Sequence, residues 1–506
     1  MLTGAQIVIK SLESLGVKTT FGYIGNYIMP VFDELKHSNI PLIATASEVG
    51  ATFAADGYSR SSGDIGVVLT TSGPGATNLI TGIATAYMDS IPMVAITANV
   101  PRAKLGKDSF QEVDITGIAT PVTKYSHIVS DINSLEYDIK KAFAIANSGR
   151  KAPVLIDIPH DILYLECEYK DLVVNCDALP EATLDSIKSA SDLINSAKNI
   201  GILVGGGATG AITNINELSK RLGAPIFATM RAVGCTDSPN FVGMVGMSAP
   251  ASHNKMLQQC ELIIAVGTRF SDRTFVKIGK NQQFIHIDID MSELGKVVLS
   301  KIDICGDANN TIEKMLPFIL IRNNEVALLP SSSRKNKLQR LCAIVNDCLH
   351  DNIILATDVG SHQVAMLNAI STKNVDEMLS STGLGTMGYG LGACIGAGVA
   401  TKKTCILVSG DGSFNMSYHE LVTAVNLGLN IVGVIANNST LMMIKDIQKN
   451  KYDKRYFAID TPKINYALFA KSMGAKGVNC SINTAKKHIT HAIINGGVTI
   501  INVNVR

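Results

Sequence analysis

Excess charge and long hydrophobic runs are both missing from the sequence. The 45 lysines and arginines against 43 aspartates and glutamates leave a net charge of +2, too little to attract nucleic acid or an anionic membrane. No stretch reaches the roughly 18 consecutive apolar residues that indicate a membrane span. Residues 1–17 have the spacing of an amphipathic helix and lack the apolar core of a signal peptide. We therefore expect a cytoplasmic protein that binds neither nucleic acid nor membranes.

Paired cysteines are missing as well. The ten cysteines are scattered without a Cys-x-x-Cys pair, so the sequence indicates neither a disulfide framework nor a zinc site. Those that lie near apolar segments are Cys235, Cys260, Cys305, Cys394 and Cys405. This distribution predicts buried thiols in a reducing compartment.

What the sequence does contain is a repeated alternation of short apolar runs with helical patterns. At 506 residues, with 46% hydrophobic residues and 43 glycines, the chain has the length of about three domains. The alternation is typical of parallel sheets flanked by helices. We predict α/β domains with doubly wound parallel sheets at residues 1–165, 185–325 and 340–506. The stretch 323–337, rich in Ser, Asn and charge, is predicted to be a linker.

The most informative segment is CILVSGDGSFNMSYHELVTAVNLGLNIVGVIANNST, residues 405–440. An apolar strand leads to a Gly-Asp-Gly turn, a helix crosses over, and a second strand leads to an Asn-Asn pair. Parallel neighbouring strands would bring both loops to the same edge of a sheet, where α/β proteins bind ligands. Oxygen ligands there would suit a Mg²⁺ ion, and we predict that they are Asp411, the amide of Asn438 and a loop carbonyl at Thr440. The flanking Gly410 and Gly412 would let the backbone approach phosphate oxygens.

This arrangement resembles the motif of the thiamine-diphosphate-dependent enzymes, and the rest of the chain is similar to their acetolactate synthase group. The similar segments are 70–97, 267–273, 286–290 and 381–397. The resemblance implies a pyrimidine-binding domain, a central domain and a diphosphate-binding domain, with thiamine diphosphate and Mg²⁺ as cofactors. It further implies decarboxylation of pyruvate and carboligation to a second 2-oxo acid, which gives acetolactate.

The resemblance also assigns residues to the cofactor. Glu48, a carboxylate inside the small and apolar run ASEVGATFAADGYSR, is similar to the glutamate that activates the cofactor by proton exchange with its pyrimidine ring. Met387 resembles the apolar wedge that bends the cofactor, and the Gly385 carbonyl is the expected partner of its amino group. Further expected cofactor contacts are Asn78, Gly360, Ser361, His362 and Ser413.

The resemblance also assigns residues to the acceptor, which is the second 2-oxo acid, and to a second cofactor, FAD. Arg273 matches the arginine that holds the acceptor carboxylate, a task that suits a bidentate guanidinium. Phe110, Gln111 and Lys124 are expected near the same pocket. The central block resembles the FAD-binding segments of the biosynthetic acetolactate synthases, with Arg269 and Asp288 as the matching positions, whereas the segment after Asn437 looks more like the catabolic enzymes, which do not use FAD.

The sequence departs from the family pattern at several positions. Asn26 replaces a glycine at a place where simple decarboxylases carry a polar side chain, and Ser47 replaces the histidine that usually precedes the activating glutamate. Ile447, beside Asp446, replaces a tryptophan that favours larger acceptors. The alternatives are therefore another thiamine-dependent decarboxylase or acyltransferase, a flavin-dependent pyruvate oxidase, or an inactive assembly partner. The family implies a homodimer or homotetramer, and a regulatory small subunit as a possible partner.

Overall fold

The computed structural model describes residues 1–176, 178–274, 279, 281–322, 326, 335–370 and 377–505. Within these residues the chain forms three six-stranded sheets flanked by helices, which confirms the predicted α/β class. Its contacts define two compact units, the first of Met1–Asp177, Asn352–Gln363 and Leu379–Arg506, the second of Ala178–Asp351 and Val364–Met378. The domain boundaries 1–165, 185–325 and 340–506 stay predictions, and most of the linker 323–337 lies outside the described residues.

The N-terminal third contains the first sheet. Its strands are β1 (Leu2–Thr3), β2 (Thr20–Tyr23), β3 (Leu42–Ala44), β4 (Gly66–Thr70), β5 (Met93–Asn99), β6 (Tyr125–Ile128), β7 (Pro153–Pro159) and β8 (Glu166–Cys167). Its helices are α1 (Gly4–Ser14), α2 (Met29–Leu35), α3 (Glu48–Ser62), α4 (Pro74–Asp89), α5 (Ile115–Ala119) and α6 (Leu135–Asn147). The sheet order is β3-β2-β4-β5-β7-β6, all parallel, and β1 pairs separately with β8.

The second unit contains the second sheet. Its strands are β9 (Ile200–Val204), β10 (Ile226–Ala228), β11 (Phe241–Met244), β12 (Leu262–Val266), β13 (Gln283–Asp288) and β14 (Ile302–Cys305). The helices are α7 (Leu184–Ser196), α8 (Ile212–Leu222), α9 (Ala251–Gln259), α10 (Ala308–Met315) and α11 (Lys337–Asn346). The strands are parallel in the order β11-β10-β9-β12-β13-β14.

The C-terminal third contains the third sheet, whose strands lie in the order β16-β15-β17-β18-β20-β19. The strands are β15 (Ile353–Thr357), β16 (Glu377–Ser380), β17 (Thr404–Gly410), β18 (Ile431–Asn437), β19 (Lys476–Cys480) and β20 (Val498–Asn504). The helices are α12 (Ser361–Leu367), α13 (Tyr389–Thr401), α14 (Asp411–Phe414), α15 (Leu421–Asn426), α16 (Met442–Lys451), α17 (Tyr466–Ser472) and α18 (Ile482–Asn495). Central strands such as β5 and β7 are buried along their whole length, as expected for parallel strands covered on both faces.

Helices α3 and α13 pack at very close range and join the first and third sheets in one apolar core. A Cβ atom at Gly57 would overlap the carbonyl oxygen of Ala393, and one at Gly396 would overlap the carbonyl oxygen of Ala54. Because glycine has no Cβ, the two helix backbones can touch at these points. The close contact fixes how the two helices sit against each other.

A buried ionic cluster lies beside this helix pair. Arg60 of α3 contacts Asp56 at 2.7 Å and Asp89 of α4 at 3.0 Å, and all three side chains are at most 2% exposed. The Arg60 guanidinium also donates to the carbonyl of Ser380, and the Tyr389 hydroxyl donates to Asp56 at 2.5 Å. Burial alone would lower the pKa of Arg60, but the surrounding carboxylates raise it well above its ordinary value. The cluster therefore ties α3, α4 and the start of α13 together.

All ten cysteines lie in described residues and none forms a disulfide, as the sequence predicts. Buried cysteines are Cys260, Cys342, Cys348, Cys394 and Cys405, whereas Cys235 and Cys305 are only partly buried, which corrects the prediction for these two. Burial raises the pKa of the Cys260 thiol to about 12. Among the described helices, none combines the length and the apolar character needed to cross a membrane.

We predict that Arg60→Met lowers the free energy of unfolding by about 3–5 kcal/mol, because it leaves two buried carboxylates without their counter-charge. The matched control is Arg102→Met, since Arg102 pairs with Asp161 in a largely exposed position, where ion pairs contribute about 0–1 kcal/mol. Urea unfolding followed by circular dichroism measures both variants. Equal losses in the two would contradict the role assigned to the buried cluster.

Candidate active site

The predicted metal and phosphate loops lie at one edge of the third sheet. Strands β17 and β18 are parallel neighbours, and Gly410 at the end of β17 is in register with Ala436 of β18. The Gly-Asp-Gly turn at 410–412 and the Asn-Asn pair at 437–438 therefore follow adjacent strand ends, as the sequence predicts. Loops at this edge of a parallel sheet are available to a ligand.

Two of the side chains expected to hold a cation accept hydrogen bonds from neighbouring residues. Asp411 is 2% exposed, and its Oδ2 accepts a hydrogen bond from the Thr461 hydroxyl at 2.5 Å. The Oδ1 of Asn438 accepts from the backbone N–H of Thr440 at 2.9 Å, which holds the loop in a tight turn with Ser439 at φ 53°. Among the described residues, no group of three or more His, Cys, Asp or Glu is placed so that it could hold a metal ion. A carboxylate, an amide and a carbonyl form an oxygen-only set, which suits Mg²⁺.

The two loops predicted to bind phosphate pack against the imidazole of His362. A Cβ atom at Gly360, where φ is 149°, would lie 2.8 Å from its Cε1, and a Cβ at Gly410 would lie 2.8 Å from its Nδ1. A Cβ at Gly412 would lie 2.6 Å from Leu441. Burial lowers the pKa of His362 to about 4, so the imidazole is neutral near pH 7. The Ser413 hydroxyl donates to the carbonyl of Val359 at 2.6 Å, so the loops at 359–362 and 410–413 pack closely around the imidazole.

The sequence analysis missed Asp358, which stands immediately before this loop. It is fully buried, and desolvation raises its pKa to about 6. Its carboxylate accepts hydrogen bonds from the N–H of Gly388 at 2.8 Å, from the N–H of Val359 at 3.1 Å and from the Ser409 hydroxyl at 3.1 Å. Asp358 thus connects the phosphate loop to the loop that carries Met387. In the sequence, only its position between an apolar strand and a glycine turn indicated that Asp358 could have a structural role.

The loop with Gly385 and Met387 approaches the Gly-Asp-Gly turn. The Met387 methyl group would lie 3.8 Å from a Cβ at Gly412, and Gly385 has φ 73°. Thr386 and Thr85 of α4 share a hydrogen bond of 2.8 Å. Met387 therefore lies near the Gly-Asp-Gly turn of the third sheet, and its role as a wedge and that of the Gly385 carbonyl stay predictions.

Glu48 is the first residue of α3, and Ser47 is its N-cap, accepting from the N–H of Gly50. The side chain of Glu48 is partly exposed. Its Oε2 accepts a hydrogen bond from the Asn78 amide at 3.0 Å. Asn78 was predicted as a cofactor contact, and in the structure its amide holds the Glu48 carboxylate.

The three residues expected near the acceptor pocket differ in exposure and in their contacts. Gln111 has φ 62°, and its backbone packs on Gly73, where a Cβ would lie 2.9 Å from the Gln111 carbonyl oxygen. The side chain of Phe110, its neighbour, is 80% exposed. Lys124 instead caps the C-terminus of α6, because its ammonium donates to the carbonyls of Ile145 and Ser148.

In the second sheet, Arg269 and Arg273 follow strand β12, and Asp288 is the last residue of strand β13. A Cβ at Gly205 would overlap the carbonyl of Gly267, so the strand ends of β9 and β12 are closely packed. Asp288 ends β13; burial raises its pKa, and it accepts from the N–H of Asp290 at 3.0 Å. The backbone carbonyl of Arg273 accepts from the N–H of Met247 at 2.8 Å, which fixes the backbone at this position.

Three family models match the chain. The model described as "Thiamine pyrophosphate enzyme, N-terminal TPP binding domain" matches residues 2–118. The model for the central domain of the same enzymes matches residues 187–315, and the model for their C-terminal TPP binding domain matches residues 358–503. Each match falls on one of the three sheets.

Individual relatives are similar along nearly the whole chain. "Acetolactate synthase isozyme 1 large subunit" of Escherichia coli (strain K12) is 36% identical over 95% of this chain and 89% of its own length. "Probable acetolactate synthase large subunit" of Methanocaldococcus jannaschii is 34% identical over 99% of this chain and 92% of its own length. "Acetolactate synthase large subunit" of Lactococcus lactis subsp. lactis is 33% identical over 94% of this chain and 88% of its own length.

The neutral His362 leads to a prediction about pH. The unfolded chain takes up a proton at this histidine near pH 6.5, whereas the folded protein does so only near pH 4. Between these values His362 reduces the free energy of unfolding by about 1.4 kcal/mol per unit of falling pH. In the cofactor-free protein, His362→Gln should therefore gain stability relative to the parent as the pH falls from 6.5 to 4.5, measured by urea unfolding. His350→Gln, at an exposed histidine, is the control, and a His362→Gln curve parallel to the parent's would contradict the prediction.

Proposed function

The chain belongs to the thiamine pyrophosphate enzymes and, among them, to the family of the acetolactate synthase large subunits, and from this membership we propose its reaction. It decarboxylates pyruvate and joins the remaining two-carbon unit to a second 2-oxo acid, which gives acetolactate when that acid is pyruvate. The observation that carries the proposal is the match to relatives of this name through all three sheets at 33–36% identity.

Thiamine diphosphate and Mg²⁺ fit the edge of the third sheet. Asp411, Asn438 and the carbonyl of Thr440 would hold the cation, since they offer oxygen atoms only. The two glycine-containing loops at this edge would take the diphosphate, because glycine lets the backbone approach phosphate oxygens; its proposed contacts are Gly360, Ser361, His362, Gly410, Gly412 and Ser413. When bound, thiamine diphosphate supplies a nucleophilic carbon that adds to a ketone and stabilises the charge left when CO₂ departs.

Glu48 is the proposed proton-exchanging residue. It would hold and exchange a proton at the ring nitrogen of the cofactor's pyrimidine, a task that requires a carboxyl group. Asn78 donates to Oε2 and so orients the carboxylate, with Oε1 as the second oxygen. Met387 would support the bent cofactor as an apolar wedge, and the Gly385 carbonyl would accept from its amino group.

The acceptor and the second cofactor are proposed from the family resemblance. Arg273 would bind the carboxylate of the acceptor 2-oxo acid in a charge-assisted pair, and Gln111 is a second residue proposed to act on the substrates. FAD would bind the second sheet through Arg269 and Asp288, in a structural role without a redox step.

We further propose a cytoplasmic homodimer or homotetramer that acts in the biosynthesis of branched-chain amino acids. In the family, the activating glutamate of one chain serves the diphosphate site of another, so a dimer would be the smallest active form. The relatives are named as large subunits, which supports a regulatory small subunit as a partner.

The test of the reaction is the product formed from pyruvate with thiamine diphosphate and Mg²⁺. Acetolactate as the main product supports the proposal. Acetaldehyde would instead indicate the decarboxylase suggested by Asn26, acetate would indicate an oxidase, and no turnover would indicate an inactive assembly partner.

Glu48→Gln should keep the fold and the binding of thiamine diphosphate but lower turnover by about 10²- to 10⁴-fold, because an amide cannot exchange the proton. Steady-state acetolactate formation and calorimetric cofactor binding measure the two effects. Glu166→Gln, at an exposed position of β8, is the control and should keep full activity. Near-normal turnover in Glu48→Gln would refute the role of this carboxylate.

Arg273→Ala should weaken acceptor binding by about ten- to a hundredfold, because a charge-assisted pair of roughly 1.5–3 kcal/mol is lost. Release of CO₂ from pyruvate should stay nearly constant while the product shifts from acetolactate towards acetaldehyde. Arg102→Ala, at the exposed pair with Asp161, is the control. A parallel fall of both products would show that Arg273 does not act on the acceptor alone.

A further inference from the structure

The buried carboxylate of Glu420 contacts the N-terminus of α3. Glu420 is 1% exposed and belongs to the short segment Tyr418–Glu420 that follows the Gly-Asp-Gly turn. Its Oε2 accepts from the N–H of Ala46 at 3.1 Å, and its Oε1 accepts from the Ser47 hydroxyl at 2.9 Å. The Thr423 hydroxyl donates to Oε2 at 2.8 Å. Glu420 therefore binds the two residues that immediately precede Glu48.

The space around this carboxylate is narrow. A Cβ atom at Gly50, in the first turn of α3, would overlap Oε1 of Glu420. The first turn of the helix is thus pressed against the carboxylate, while Ser47 also caps the helix by accepting from the N–H of Gly50 at 3.1 Å. Movement of Glu420 would shift or loosen the residues that set the position of Glu48.

His419 takes part in the same contact. Its Nε2 lies 3.1 Å from the Ser47 hydroxyl oxygen and 3.7 Å from Oε1 of Glu420. The imidazole of His419 therefore lies beside both the Ser47 hydroxyl and the Glu420 carboxylate.

We propose that Glu420 is a positioning residue for Glu48, acting through Ala46 and Ser47, and that His419 supports it through the Ser47 hydroxyl. This inference rests on the proposed role of Glu48. It also links the segment that begins at Asp411 to the carboxylate that exchanges the proton. Because a small displacement of a catalytic group has a large effect on rate, the contact would control proton exchange without touching the cofactor.

The first experiment compares Glu420→Gln with the parent protein. An amide can accept from Ser47 or from Ala46 with only one oxygen, so one contact to α3 is lost. In the cofactor-free protein, backbone amides 46–50 should exchange faster with deuterium. With thiamine diphosphate and Mg²⁺ bound, but no substrate, deuterium exchange at the reactive carbon of the cofactor should be about ten- to a hundredfold slower, with cofactor affinity little changed. His488→Gln, far along the chain on α18, is the control and should match the parent.

The second experiment is a double-mutant cycle of Ser47→Ala and His419→Ala. The side chain of His419 is 38% exposed, so its removal should leave the fold intact. If the two side chains act together, their effects on cofactor proton exchange should be non-additive by at least about twofold. Additive effects would remove His419 from the proposal.

The outcomes separate this inference from the proposed function. If the parent protein forms no acetolactate and Glu48→Gln does not slow exchange at the cofactor, the proposed function fails. If the parent is active but Glu420→Gln keeps both the parent's amide protection and its cofactor exchange rate, the positioning role is overturned. Loss of turnover in a folded Glu420→Gln protein with unchanged cofactor exchange also overturns it.

Discussion

The ion pairs of Arg60 with Asp56 and Asp89 are the interaction on which the arrangement of the first unit depends. A guanidinium in an apolar core requires carboxylates around it, and these come from α3 and α4. Asp89 also accepts from the N–H groups of Thr382 and Gly383. One buried charge therefore connects two helices of the first sheet to a loop of the third. Helices α3 and α13 are in backbone contact at their glycines, so neither can move along the other without steric overlap.

The site depends on this connection because its parts lie on the connected elements. Glu48 begins α3, and Asn78, which holds its carboxylate, lies on α4. The loop with Met387 is fastened on one side by Asp89 and on the other by Asp358. Both acids thus hold the loop of Met387, and buried acids with satisfied hydrogen bonds make rigid supports.

Much of this could be predicted from the sequence because the signals were local. Apolar runs alternating with helical patterns predict parallel sheets, and the turn at 410–412 with the pair at 437–438 predicts two loops at one edge. Asp358 and Glu420 could not be found in this way, since their partners Gly388 and Ser47 are distant in the chain. Lys124 was expected near the acceptor pocket, and that its ammonium caps α6 could not be predicted, because this contact depends on how the chain folds back.

The sequence by itself determined the α/β class, the motif of a Gly-Asp-Gly turn followed by an Asn-Asn pair, and the family with its expected chemistry. Each of these depends on neighbouring residues or on residue order. Only the tertiary structure decided which groups support one another: that Asn78 holds Glu48, that His362 lies between two glycines, and that Glu420 faces the start of α3. The physical reason is that hydrogen bonds and van der Waals contacts act over a few ångströms, whatever the separation along the chain, and residue order does not specify which distant residues come that close.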